Sequence, residues 1–217
     1  MFVLPRSFLL ALRSEGLRLT ASLVWTRVFG HEEYLVFVRH LVPPREAVVL
    51  PVEIKGAVVH AMREADLEAV ARLIPFSLSR MPLAERRASL RCCWPESVVA
   101  RRGDRIVGAV WYVDSVGPEQ PFYPLIEPYV RPPARLTAGV FVAPNENVGA
   151  WGLVHVASQR LAHLGVRTTV SAVRSDNKPS MIMARMQHAT LTAKVSIHYF
   201  FGRRSTRVEP ASGRGPI

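Results

Sequence analysis

Apolar positions along the chain change period several times, and each change marks an element. Over residues 5–29, Leu9, Leu12, Leu17, Leu23, Val24 and Val28 recur at roughly helical spacing, with Arg6, Arg13, Arg18 and Arg27 between them. That is the pattern of an amphipathic helix, interrupted at Gly16. Residues 34–40 (YLVFVRH) read as a strand ended by Pro43 and Pro44, and 51–56 as a linker. Residues 58–63 alternate as a strand, and the following EADLEAVARLI places Leu67, Val70, Ala71 and Ile74 on one helical face. Pro75 and Pro82 bracket a loop before a helical stretch over 82–91. SVVARRGDRIVGAVWYV predicts a hairpin turning at Arg102, Gly103 and Asp104. Residues 114–133, rich in proline with Phe122, Tyr123 and Tyr129, form a long irregular connection.

The most organised stretch follows, LTAGVFVAPNENVGAWGLVHVASQRLAHL over residues 136–164. It predicts a strand over 136–142, a loop over 144–149, and a helix with Leu153, Val156, Ala157, Leu161 and Leu164 as its stripe, stopped at Gly165. A loop that opens into a helix aims unpaired backbone N–H groups and the positive end of the dipole at one point, where a phosphate is held well. Residues 166–173 are a β-branched strand, SDNKPS a helix start, 181–187 a short helix and 190–200 a long alternating strand. The tail after Gly202 has little to bury and is expected to be without structure.

Composition changes this picture little. At 217 residues with 49% hydrophobic positions the chain can bury a core. No run reaches the ~18–20 apolar residues of a membrane span. Pro5 and Arg6 break the apolar start and no small-residue cleavage site follows Leu9–Leu12, which argues against a secretory signal peptide. The adjacent Cys92 and Cys93 make neither a disulfide framework nor a metal-ligand spacing, and they suit a reducing, cytoplasmic setting. The net charge of +11 is carried almost entirely by scattered arginines, since Lys55, Lys178 and Lys194 are the only lysines. Without a dense basic run or a recognisable module, nucleic acid is disfavoured. A polyanionic small ligand or an anionic membrane surface suits the same charge.

Three stretches then resemble one family. VVHAMREADLEAVARLI is similar to its first strand and helix, ARRGDRIVGAVWYV to its hairpin, and VAPNENVGAWG to its cofactor loop. Taken with the element order over residues 57–204, they resemble the GNAT superfamily of acyl-CoA-dependent N-acyltransferases. The resemblance implies an α+β fold with a mixed, mostly antiparallel central sheet flanked by helices. It divides the chain into an amphipathic extension (1–56), an acyltransferase domain (57–204) and a tail (205–217). It implies acetyl-CoA or another acyl-CoA as co-substrate, no metal, and a primary amine on a small molecule as acceptor. Val140 and Val142 would line the pantetheine arm. Backbone groups of Asn147, Val148, Gly149, Ala150, Trp151 and Gly152 would cradle the pyrophosphate, and Asn177 and Ser180 match a second family motif.

The chain departs from the family pattern at Asn147, where Arg or Gln is usual, at Ala150, where Gly is usual, and at Ala184, where counting places the tyrosine that protonates the leaving thiolate. Glu127 and Asp114 are the candidate general bases, each weighed against being a plain solvated charge, and Tyr199 is a candidate acid. Glu146 is expected to point away from a pyrophosphate or to cap the helix. The departures keep a second reading open, a catalytically degenerate binding or scaffold protein. Peripheral membrane contact through residues 5–29 and a homodimer remain open as further partners.

Overall fold

The computed structural model describes residues 28–74, 83–91, 96–113, 134–143, 145, 146, 148–201 and 203–211, together with Ala21, Val24, Trp25 and Ile126. Along these residues run β1 (His31–His40), β2 (Val52–Ile54), β3 (Ala57–Ala61) and a 3-10 turn (Glu64–Asp66) leading into α1 (Leu67–Leu73). Then come α2 (Leu83–Arg91), β4 (Val98–Arg102), β5 (Arg105–Val113), β6 (Ala134–Val142) and α3 (Ala150–His163). The chain continues through β7 (Thr168–Arg174), α4 (Lys178–Met186), β8 (Thr190–Phe200) and β9 (Arg203–Pro210). All described strands join one sheet in the order β2-β3-β4-β5-β6-β7-β1-β8-β9. The β6–β7 ladder is parallel and the other ladders are antiparallel.

The two-residue period of the strands decides which helices lie on which face. Val98, Ala100, Val110 and Tyr112 point to the side where Leu153, Val154, Ala157 and Leu161 of α3 cover them. Their neighbours Val99, Ala109 and Trp111 point the other way and meet Leu67, Val70 and Ala71 of α1 and Leu90 of α2. Ala184 of α4 covers Phe37 and Val173. The opposite face there is lined by Val36, Val38, Leu136, Val170, Val195 and Ile197, with Ile126 upon them. The sheet therefore has helices on both faces over its first half, with α3 and α4 sharing one side. The expected α+β architecture with a mixed, mostly antiparallel sheet is the one observed.

Three expectations are corrected. Within the extension expected over residues 1–56, the described residues 31–56 do not stand apart from the sheet, because β1 sits in its interior between β7 and β8 and β2 forms one edge. The stretch 51–56 is a short hairpin arm and not a plain linker. Residues 203–210, expected to lack structure, form β9 on β8, with registers from Ala193↔Pro210 to Phe200↔Arg203. Every residue of β9 is exposed, so its order comes from backbone pairing and not from burial, and no hydrophobic pattern announces it. Of the helix expected over 5–29, the described residues Ala21, Val24, Trp25, Val28 and Phe29 are helical.

One buried carboxylate fixes the start of α1. Asp66 is 3% exposed. It accepts from the Arg63 backbone N–H at 2.8 Å and pairs with the Arg101 guanidinium of β4. Two partners for one buried charge are what make its burial tolerable.

Candidate functional site

The sheet opens between its two parallel strands. β6 and β7 are paired from Ala134↔Thr168 to Leu136↔Val170 and no further. Beyond that point β6 continues to Val142 along β5, and β7 continues to Arg174 along β1. Each strand is thus held on its outer side while the inner edges, over residues 137–142 and 171–174, have no ladder partner across the gap. A register shift opposite Trp111 and Tyr112 leaves Ala138 unmatched and bends β6 at the start of the gap. Just past it, a Cβ on Gly139 would enter the Trp111 ring, so this position admits only hydrogen. Val140 and Val142, expected at the pantetheine arm, are half-buried on β6 and reach the α3 side of the core.

The helix that follows β6 begins without a cap. Gly149, with φ 75° and ψ 103°, is the N-cap of α3; it has no side chain to cap the first turn, and no acidic residue lies in that turn. Leu153 N–H is the first to find a helical acceptor, Gly149 O, at 3.2 Å. The N–H groups of Ala150, Trp151 and Gly152 therefore point out of the helix end, with the dipole behind them. The Lys55 ammonium, from the β2–β3 turn, lies 3.9 Å from where a Gly149 Cβ would stand. Glu146 is held by Arg102 at 2.6 Å and faces Arg105 at 3.7 Å, which neutralises the nearest carboxylate. A helix N-terminus with an ammonium beside it suits an anion.

Not every residue expected in the cradle faces it. The Val148 side chain is fully buried in the core. The room beside Gly152 is taken by Ile54, whose Cγ2 lies 3.3 Å from the Cβ position, so that glycine serves helix–hairpin packing. Trp151 is exposed and stacks on His155 one turn on, at 5.1 Å and 10°. Asn147 and Pro144 lie outside the described residues, as do Asp114 and Glu127. Asn177 is the N-cap of α4, its Oδ1 accepting from the Ser180 N–H at 3.2 Å.

A polar cluster that the sequence did not single out lies near the closed end of the gap. Arg39 of β1 donates to Ser158 Oγ of α3 at 3.0 Å and to Gln187 Oε1 at the end of α4 at 2.7 Å. One guanidinium thereby ties together the two helices on that side. Burial pulls its pKa down from the ordinary value, against an opposite effect of Tyr112. Burial also pushes the Tyr112 phenol up to about 12, opposed by Ser158 and Arg39. Among the described residues no donor or acceptor meets the phenol oxygen in hydrogen-bond geometry, although the Ser158 hydroxyl, which accepts from Arg39, lies close enough to oppose that rise.

At the open end, Tyr34 of β1 stands opposite Arg174 of β7. Burial, then Tyr199, push the Tyr34 phenol up to about 12; Arg174 lowers it and Asp176 raises it. Tyr199 lies on β8, separated from β7 by β1, and packs with Tyr34. Tyr199 thus lies two strands from the gap and Tyr34 one strand from it. Periodicity could not have found Arg39, Tyr112 or Tyr34, because their roles depend on β1 entering the sheet from the far end of the chain.

A cavity of about 390 Å³ lies elsewhere, against Leu50, Pro51, His60, Met62, Arg63 and Arg160, where β2 stops short of the end of β3. His60, weighed in the sequence as a strand histidine, lines it. Among the described residues no three His, Cys, Asp or Glu side chains converge as a metal site.

A parallel pair that splays beside an uncapped helix is the feature to compare with known proteins. A GCN5-related N-acetyltransferase from Sphaerobacter thermophilus matches 90% of this chain and 58% of its own, with a TM-score of 0.56 and 14% identity. The chain has the GNAT fold. A Drosophila protein solved by structural genomics aligns with a TM-score of 0.50 at 13% identity, over 83% of this chain and 55% of that one. The chain therefore spans a little over half the length of these two relatives in fold. No protein-family model and no curated protein sequence matches it. Within the GNAT fold, the gap between β6 and β7 and the start of α3 form one continuous candidate site.

Proposed function

We propose that the chain binds acyl-CoA in the gap between β6 and β7 and transfers the acyl group to a primary amine of a small molecule. The observation that carries this reading is the unpaired inner edge of β6 leading directly into the uncapped start of α3. The residues fit such a ligand: N–H groups of Ala150, Trp151 and Gly152 with the Lys55 ammonium suit a pyrophosphate, and an amide-bearing arm can add to the β6 edge as a strand does. When bound, acyl-CoA supplies the activated acyl group. The chain's own part is to hold the anion, align the arm along residues 137–142 and present β6 N–H groups to a carbonyl. Glu127 and Asp114 are the proposed bases and Tyr199 the proposed acid, with Tyr34 beside it.

The second reading, a protein that binds acyl-CoA without transfer, is favoured by Ala184. That residue is buried against Phe37 and Val173 and offers only a methyl group where the resemblance implies a tyrosine. Thermal melting with CoA, acetyl-CoA and longer acyl-CoAs tests binding, since a ligand at a hundred times its Kd adds about 2.7 kcal/mol. Thiol release across a panel of amines tests transfer. Lys55→Ala should weaken CoA binding roughly fivefold, about 1 kcal/mol for one partly exposed ion contact. No melting shift with any acyl-CoA sinks both readings; a shift without thiol release leaves the second.

A further inference from the structure

The corner where the N-terminal helical residues meet the β8–β9 turn is built to a different purpose. Phe201 N–H donates to Val28 O and Tyr199 N–H to Gly30 O, both at 2.8 Å, which fastens the helical residues to the end of β8. Four rings gather there, with centroid separations of 5.1 Å for Trp25–Phe29, 5.0 Å for Phe29–Phe201 and 4.9 Å for Phe200–Phe201. A core aromatic cluster would be covered. This one faces water, with Trp25 69%, Phe200 65%, Phe201 69% and Phe29 45% exposed. A contiguous exposed patch of this kind marks an interaction surface.

Its rim decides the partner. β9 leaves the corner with Arg203 and Arg204, both exposed. Residues 199–208 (YFFGRRSTRV) contain no carboxylate. The acidic side chains nearest in sequence to the corner are engaged, Glu33 with Lys194 at 2.7 Å and Glu32 with the Tyr34 hydroxyl at 3.2 Å. Exposed Trp and Phe beside Arg match the boundary between acyl chains and anionic headgroups, where amphipathic rings settle and guanidiniums meet phosphates. We propose that this corner docks the protein on an anionic lipid surface, with Trp25, Phe200 and Phe201 entering the interface and Arg203 and Arg204 on headgroup phosphates. The corner lies at the end of the sheet where β7 finishes, since His31 pairs with His198 and Tyr34 with Arg174. The docking stands on these residues alone and does not depend on acyl-CoA binding.

Flotation of the full chain tests it, with vesicles of phosphatidylcholine containing phosphatidylserine and with phosphatidylcholine alone. The expected result is flotation on the anionic vesicles only. Phe200→Ser/Phe201→Ser should lower partitioning at least tenfold, and Arg203→Gln/Arg204→Gln about fivefold per arginine, with unchanged melting. If the phenylalanine variant does not fold, the arginine variant, altered only at exposed positions, decides. Failure of the wild-type chain to float, equal flotation on both vesicles, or variants that float like wild type would each overturn the proposal. So would a dimer, seen by light scattering, that becomes monomeric in the phenylalanine variant while lipid binding is absent.

Discussion

Single residues in this protein carry requirements that their identity alone does not reveal. Gly149 has a backbone conformation closed to other residues, while the space beside it is open apart from the Lys55 ammonium. Gly149→Ala should therefore cost about 1–2 kcal/mol through backbone strain alone, and it should shrink the melting shift given by CoA. A loss in stability without a change in that shift would separate the turn from the anion site. Tyr112 presents the opposite case, a fully buried phenol oxygen with no hydrogen-bond partner among the described residues. Removing an unsatisfied buried hydroxyl is neutral or stabilising, so Tyr112→Phe should leave the denaturant midpoint unchanged or raise it. A loss above about 1 kcal/mol would mean that the hydroxyl is bonded after all.

At the scale of elements, the Asp66–Arg101 pair joins the turn before α1 to β4. Asp66→Ala leaves Arg101 without its carboxylate and the Arg63 N–H without its acceptor, and should cost about 3 kcal/mol in chemical denaturation. The elements themselves were largely legible. The turn cluster Arg102, Gly103 and Asp104 between two apolar runs announced the hairpin, whose strands are buried on both faces. The stripe from Leu153 to Leu161 announced α3, which has one wet and one dry face. β9 was not legible because all its residues are exposed. The place of β1 was not legible either: the apolar run in YLVFVRH, ended by Pro43 and Pro44, says that a strand is there, but not which strands flank it. The anion site was read from the loop and helix alone, whereas Lys55 belongs to a turn about a hundred positions earlier and reaches it through tertiary packing. Gly152 has a second duty that the loop alone does not show, since Ile54 of β2 packs where its Cβ would stand.

For the whole molecule, the two buried phenols set an alkaline limit. Tyr34 and Tyr112 are both raised to about 12 from an ordinary value of 10.0. The folded chain then holds protons that the unfolded chain has released, so stability falls as pH rises. Their contribution is intact below pH 10 and is lost between about pH 10 and 12. Phenolate absorbance should rise together with loss of the fold in that window. Early phenolate formation in a chain still folded would contradict the burial of these groups.

The insertion of β1 also sets a timetable. Val36 must pair with Ala172 on one side and Ala193 on the other, yet it leaves the ribosome long before either exists. At about 5–20 residues per second, an apolar strand with two bare edges waits roughly ten seconds or more for its neighbours. The part of the sheet around β1 cannot close until β7 and β8 have been made, and slow folding from such distant pairings follows. A nascent chain of this design spends that interval as a client for chaperones, or for any surface that will cover the strand.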